Sequence, residues 1–107
     1  MDKIDKIKYD MKADILKAVA HRVRIIIVEK LSEGEQCVCE LNKIFDLDTS
    51  TVSKHLTVLK KAGIVESEKR GLKVFYKLRC SCILTFFSCI EKIIQNNYEE
   101  AKMVAGK

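Results

Sequence analysis

The organisation of this chain is set by residues 50–65, which read STVSKHLTVLKKAGIV. Within them Val52, Leu56 and Leu59 recur at helical spacing and predict one apolar face that packs against a core. The other sides carry short hydroxyl groups together with lysine and histidine. The pattern predicts an amphipathic helix over about 49–62, with a polar side small enough to approach another molecule closely.

The residues after this helix predict a β-hairpin. Gly63 is expected to close the helix as its C-cap, because glycine adopts a positive φ without strain. Ile64–Glu68 and Lys73–Leu78 have the composition of two strands, joined by residues 69–72, KRGL. The hairpin, over about 64–79, therefore has a basic tip.

The sequence before residue 49 predicts three more helices. Apolar residues at three- and four-residue steps predict a first helix over about 4–18 and a second over about 23–31, which ends near Gly34. A short third helix over about 38–45 leads into a turn. Asp48 or Thr49 is expected to cap the following helix by accepting a backbone N–H.

The last segment, from about 81 to 103, predicts a helix with a wide apolar stripe. The stripe exceeds what one small core covers, so we assign the surplus to a dimer interface shared with the first helix. The chain thus predicts one domain, 1–107, mostly α-helical with a β-hairpin wing, in the order ααααββα. This is a winged helix-turn-helix that forms a homodimer through its first and last helices. The stripe consists of Ile83, Phe86, Phe87, Ile90, Ile93 and Ile94.

The positive charge is concentrated around the amphipathic helix and the hairpin. Residues 49–79 hold eight lysines and arginines against two glutamates, a net charge of +6, whereas the whole chain carries +5. A basic face of this kind is expected of a surface that neutralises phosphates, although a solvated surface is the commoner fate of a charge run.

The composition excludes several classes of protein. A chain of 107 residues with 48% hydrophobic and 33% charged residues is neither disordered nor of low complexity. Its longest strongly apolar stretch, residues 82–90, is far shorter than the about 20 residues of a spanning helix, and the N-terminus is too charged for a signal peptide. We expect a cytoplasmic protein with no membrane partner. A catalytic triad, a glycine-rich phosphate loop or an acidic pair is not apparent, so an enzyme is not expected.

The segment from about Ala18 to Leu78 resembles the ArsR/SmtB (arsenic-repressor) family of bacterial metal-responsive repressors. The resemblance rests on residues 50–65, which match the run S-T-V-S-x-H-L-x-x-L-x-x-A-G-[LI]-V, and on QCVCEL at residues 36–41. One departure lies at residues 21–24, HRVR, where the family often has Asp-Pro-Thr-Arg. His21 is therefore expected to be a capping or surface residue rather than a metal ligand.

The resemblance implies which residues contact DNA. The recognition helix is expected in the major groove, and the wing near the flanking backbone or the minor groove. A two-fold homodimer of this kind binds an inverted-repeat operator in double-stranded DNA and acts as a repressor. For His55, a packing role is the alternative to a DNA contact. The implied DNA-binding residues are Thr49, Ser50, Thr51, Ser53, Lys54 and His55 on the helix, and Lys69, Arg70 and Lys73 on the wing.

Cysteines supply the expected sensor. The resemblance implies arsenite-binding thiolates in a Cys-Val-Cys-x-x-Cys run, of which this chain keeps Cys37 and Cys39 and has Asn42 in the third place. Thiolates suit soft ions, so trivalent arsenic or antimony is the expected effector, as arsenite or as an organoarsenical. Two residues two apart on a helix face about 200° away from each other, so chelation there requires the first turn to unwind. That movement would shift the recognition helix and release DNA.

Cys80 and Cys82 form a second Cys-x-Cys pair, where the last predicted strand leads into the final helix. In an extended segment, residues two apart share a face, so this pair can chelate without unwinding. The pair could complete a three-thiolate site with Cys37 or Cys39, hold an organoarsenical alone, or act as a redox- or sulfide-responsive dithiol. Cadmium and lead are alternative effectors. Cys89, on the apolar stripe, is expected to be an inert buried thiol.

Overall fold

The computed structural model describes residues 1–106, in which five α-helices surround a small antiparallel sheet. The three strands, β1 (Gln36–Cys37), β2 (Val65–Arg70) and β3 (Lys73–Leu78), lie in the order β1-β3-β2, so β1 pairs with the β3 side of the β2–β3 hairpin. This arrangement confirms the predicted winged helix-turn-helix. The helices are α1 (Lys3–Val19), α2 (Arg22–Leu31), α3 (Val38–Ile44), α4 (Thr49–Lys61) and α5 (Cys82–Ala105).

The element boundaries differ from the sequence prediction in three places. β2 continues to Arg70, which pairs with Lys73, so the hairpin turn is only two residues long. Gly71 has φ +61° at the first of these two positions, a conformation that glycine adopts without strain. α5 continues to Ala105 instead of ending near residue 103. The sequence does not predict β1, because a two-residue strand has no periodicity of its own and forms only by pairing with β3.

Both ends of α4, the recognition helix, are fixed by local hydrogen bonds. Asp48 caps its start, with one carboxylate oxygen accepting the backbone N–H of Thr51 at 2.8 Å. At its end Gly63 has φ +80°, and the N–H of Ile64 donates to the carbonyl of Leu59 at 3.0 Å. These caps set the angle at which α4 leaves the α3–α4 turn and continues into the wing.

The core lies between α2, α3, α4 and the base of the wing. The three predicted apolar residues of α4 are all fully buried in it, which confirms the apolar face read from residues 50–65. α5 reaches this core through Phe87, which is 6% exposed. The core residues are Ala18, Val19, Ile27, Val28, Leu31, Leu41, Val52, Leu56, Leu59, Ile64, Val65 and Phe87.

Candidate DNA-binding surface and thiol pairs

The polar side of α4 presents five of its six predicted DNA-binding residues on one surface. Thr49, Ser50 and Lys54 are exposed, and Thr51 and Ser53 are half-buried beside them. The Asn42 amide of α3 donates to the Thr49 hydroxyl at 3.4 Å, so the first turn of α4 is tied to the preceding helix. The surface therefore begins at a helix N-terminus that is fixed by Asp48 and tied to α3.

His55, the sixth of these residues, packs toward the start of α2. Its ring centroid lies 4.4 Å from that of His21, and the side chain is half-buried. Burial lowers the pKa of His55, and the nearby charges of His21 and Arg24 lower it further. The geometry favours the packing role of His55. The expected capping role of His21 is confirmed, since its Nδ1 accepts the N–H of Val23 at 3.1 Å.

The lowered pKa of His55 predicts that stability falls at mildly acidic pH. Below the ordinary histidine pKa of 6.5, the unfolded chain binds a proton at residue 55 more readily than the folded chain does, so protonation favours unfolding. We expect the thermal unfolding midpoint of His55→Gln to fall less than that of the wild type between about pH 7.5 and about pH 5.5. Lys54→Gln is the control on the same helix, and it should keep the wild-type pH dependence. Equal slopes for His55→Gln and the wild type would contradict the assignment.

The wing presents its basic residues in two different states. Lys69 and Lys73 are exposed at the end of the hairpin. Arg70 is held instead by carboxylates, because its guanidinium donates to Glu35 at 2.5 and 2.9 Å and to Glu68 at 2.8 Å. Sequence reasoning missed Glu35. It could have found Glu68, because residues two apart on a strand share a face.

The pair Cys37–Cys39 corrects the geometry expected from the sequence. Cys37 has an extended backbone and forms the end of β1, so only Cys39 belongs to α3. The two Cα atoms are 5.3 Å apart and the sulfurs are joined in a disulfide. The thiols therefore meet while the first turn of α3 stays intact, and no unwinding is needed. Cys37 is 1% exposed, whereas Cys39 is exposed and accessible to a reagent.

The pair Cys80–Cys82 lies at the junction of β3 and α5 and is also joined in a disulfide. Both residues are exposed and line an apolar cavity of about 480 Å³ between α1 and α5, beside Ile15 and Phe86. Cys89 is exposed in one protomer, which leaves much of the apolar stripe of α5 uncovered.

The distribution of possible ligands limits the kind of metal site that one protomer can form. Residues 1–106 contain no group of three or more histidine, cysteine, aspartate or glutamate side chains placed to hold a metal ion. The alternative of a three-thiolate site that combines both cysteine pairs is therefore not assembled within residues 1–106 of one protomer. What remains is two separate pairs of sulfurs.

A capped polar helix beside a basic hairpin defines a class of protein, the winged helix DNA-binding regulators. The family model described as "Bacterial regulatory protein, arsR family" matches residues 21–67. The chain belongs to this ArsR family of bacterial regulatory proteins. In the described part of the chain, none of the helices combines the length and apolar character that a bilayer span requires.

Three known proteins illustrate the similarity. The HTH-type transcriptional repressor SmtB of Mycobacterium tuberculosis is 42% identical over 69 residues, which are 64% of this chain and 51% of that protein. The cadmium resistance transcriptional regulatory protein CadC homolog of Staphylococcus aureus is 38% identical over 85 residues, 72% of this chain and 70% of that protein. The homodimeric winged helix-turn-helix domain Mb0332 of Mycobacterium bovis superposes with TM-score 0.79 at 23% identity, covering 94% of this chain and 93% of that one. The chain thus spans about half the length of the mycobacterial repressor.

Proposed function

We propose that this protein is a homodimeric transcriptional repressor that leaves its operator when trivalent arsenic or antimony binds the thiols of Cys37 and Cys39. The main support for the proposal is that the two sulfurs are bonded to each other at the junction of β1 and α3. Cys39 lies on α3, which packs directly against the recognition helix α4. A sensor at this position therefore acts on the element that reads DNA.

The DNA-binding half of the proposal rests on charge and exposure. The short polar residues at the start of α4 fit the major groove, where side-chain hydroxyl and amine groups contact base edges and phosphates. Lys69 and Lys73 are exposed at the end of the wing, which supports a contact with the DNA backbone beside the major groove. Such a regulator acts in the cytoplasm, where its DNA is found and thiols are kept reduced.

The homodimer rests on two helix faces that one protomer leaves uncovered. α1 exposes apolar side chains along its length, and α5 exposes another set between Phe86 and Val104, including Ile94 at 60%. Exposed apolar side chains concentrated on two helices mark an interface. The homodimeric state of the Mycobacterium bovis domain supports the same assignment. The exposed residues are Ile4, Ile7, Met11, Ile15 and Leu16 on α1, and Phe86, Ile93, Ile94, Tyr98, Met103 and Val104 on α5.

The dimer predicts a large effect for one substitution on α5. Ile94→Asp places a charge in the proposed interface, so sedimentation should detect monomers, and operator affinity should fall because one protomer reads one half-site. Lys92→Gln is the matched control, since it changes the charge equally and lies about 200° away on the helix. The control should stay dimeric. An Ile94→Asp protein that remains dimeric would refute the proposed interface.

Trivalent arsenic fits the donors that are present. Thiolate sulfur is the preferred ligand of soft ions, and the two sulfurs of Cys37 and Cys39 are already within bonding reach of each other. An arsenical with one organic substituent needs only two thiolates, which matches the number that one protomer supplies here. Capture of both thiols fixes the β1–α3 junction, and a coupling of about 1–3 kcal/mol to α4 is sufficient to release DNA.

Oxidation of the same thiols is a second candidate, favoured by the disulfide itself. Here an oxidant accepts two electrons and two protons as the two thiols form an S–S bond. The name of the Staphylococcus aureus relative adds cadmium as a third effector, with lead the analogous case.

Parallel titrations separate these effectors. The reduced protein is bound to fluorescent DNA from upstream of its own coding region, and arsenite, phenylarsenite, cadmium and a persulfide donor are added separately while anisotropy is recorded. Release by an arsenical at about one equivalent per subunit supports the proposal. Release by the persulfide donor alone, reversed by a dithiol reductant, assigns the pair to redox sensing. Cadmium-specific release with thiolate charge-transfer absorbance identifies a cadmium sensor.

A further inference from the structure

The guanidinium of Arg70 on the wing contacts two carboxylates and an aromatic ring. Two of its nitrogens face the two oxygens of Glu35, at 2.5 and 2.9 Å, and one of them also donates to Glu68 at 2.8 Å. The guanidinium lies 4.8 Å from the ring centroid of Phe75. Every polar contact of this guanidinium is thus made to a carboxylate of the same chain.

This arrangement competes directly with DNA binding. A guanidinium binds a phosphate through the same pair of N–H groups that it donates to a carboxylate. Arg70 therefore cannot make bidentate hydrogen bonds to Glu35 and to a phosphate at the same time through these groups. Two carboxylates against one guanidinium also leave the cluster with a net negative charge, which repels the DNA backbone. The Arg70 side chain is 46% exposed, and Lys69 and Lys73 are exposed as well, but within residues 1–106 only Arg70 of the three is paired with carboxylates, so in the observed state its guanidinium is withheld from DNA.

Glu35, which pairs with Arg70, is separated from Cys37 only by Gln36. Glu35 immediately precedes β1, and Cys37 ends that strand. β1 pairs with β3 through Gln36 opposite Tyr76 and Cys37 opposite Phe75, so the same Phe75 lies beside both Cys37 and Arg70. A shift of the β1 backbone at Cys37 is therefore placed to reach Glu35, through the adjacent chain, and Phe75, through the strand pairing.

We propose that Glu35 is a positioning residue that withholds Arg70 from DNA phosphate while the sulfurs of Cys37 and Cys39 are joined. A thiol or dithiol reductant supplies the two electrons and two protons that cleave this disulfide into two thiols. Loss of the S–S bond shifts β1, weakens the contact of Glu35 with Arg70, and frees Arg70 to bind the DNA backbone beside the operator. The wing and α4 thus both respond to the state of the thiol pair. This inference rests on the proposed function and names a second route by which the same site acts.

The test compares Glu35→Gln with Glu33→Gln, because both remove one negative charge two residues apart. Glu33 is exposed and makes no ion pair within residues 1–106. Operator affinity is measured against salt concentration, with the protein either reduced or oxidised by diamide. In the oxidised state Glu35→Gln should steepen the log–log salt slope by about 0.9, the value for one more phosphate contact, and Glu33→Gln should not. The ratio of reduced to oxidised affinity should fall at least about threefold in Glu35→Gln alone.

Glu35→Asp keeps a carboxylate and should restore part of the wild-type ratio, which a change in folding alone would not do. A salt slope or an affinity ratio for Glu35→Gln equal to that of Glu33→Gln would overturn the inference. The proposed function fails separately, if the wild type binds its operator and neither an arsenical nor diamide changes that affinity.

Discussion

Cys37→Ser combined with Cys39→Ser should leave operator binding intact and abolish release by phenylarsenite and by oxidants. Serine keeps the size and the hydrogen-bonding capacity of cysteine but neither binds arsenic(III) nor forms a disulfide. Because Cys37 is buried at the end of β1, serine there is well tolerated only if its hydroxyl finds a partner, so the circular dichroism spectrum and unfolding midpoint are measured alongside. Anisotropy on the operator gives the affinity with and without effector.

The matched control is Cys80→Ser with Cys82→Ser, which removes the other pair in the same chain. This control should keep the wild-type response to effector. If instead the Cys37/Cys39 variant responds fully and the Cys80/Cys82 variant does not, the sensor lies at the junction of β3 and α5. The apolar cavity beside that second pair would then accommodate the organic substituent of the arsenical.

Leu56→Ala should cost about 2–5 kcal/mol of unfolding free energy, which is the range for truncating a fully buried leucine. Leu56 is 0% exposed on the inner face of α4, so its removal leaves a cavity beneath the recognition helix itself. The measurement is urea unfolding at a fixed protein concentration, since dimer stability depends on concentration.

Val58→Ala is the control on the same helix, because Val58 is 36% exposed and its truncation creates no cavity. Its unfolding free energy should stay within about 0.5 kcal/mol of the wild type. Equal losses in the two variants would contradict the assignment of α4's inner face.

The sequence was sufficient for elements that carry their own periodicity or caps. Val52, Leu56 and Leu59 share one face of any helix that contains them, and this face is the buried one. Asp48 and Gly63 mark the two ends of α4 by local chemistry, and both act as expected. The hairpin likewise follows from strand-forming residues around a glycine.

The remaining features depend on contacts between distant segments. β1 exists because Gln36 and Cys37 pair with β3, some forty residues later in the chain. That pairing places Cys37 outside α3, which reverses the conclusion drawn from helical geometry for the thiols. The contact between Glu35 and Arg70 spans 35 residues and follows from the same pairing. The pattern of neighbouring residues in the sequence does not predict contacts between segments this far apart.

The role of His55 shows the same limit within a matching motif. Its place in the recognition-helix run is shared with residues expected to contact DNA, yet its ring packs against His21 at the start of α2. The pattern in residues 50–65 gives the position of His55 on the helix. It gives no information on His21, the residue of another segment that His55 contacts.

One anisotropy titration tests directly whether an arsenical bound by the Cys37 and Cys39 thiols releases the protein from DNA. Reduced protein is bound to its upstream DNA, phenylarsenite is added, and an excess of a small dithiol then removes the arsenical. We expect full release at about one equivalent per subunit and rebinding after the dithiol, in the wild type and not in the Cys37/Cys39 variant. Binding that is unchanged by phenylarsenite, or release that persists in that variant, would contradict the proposed release mechanism.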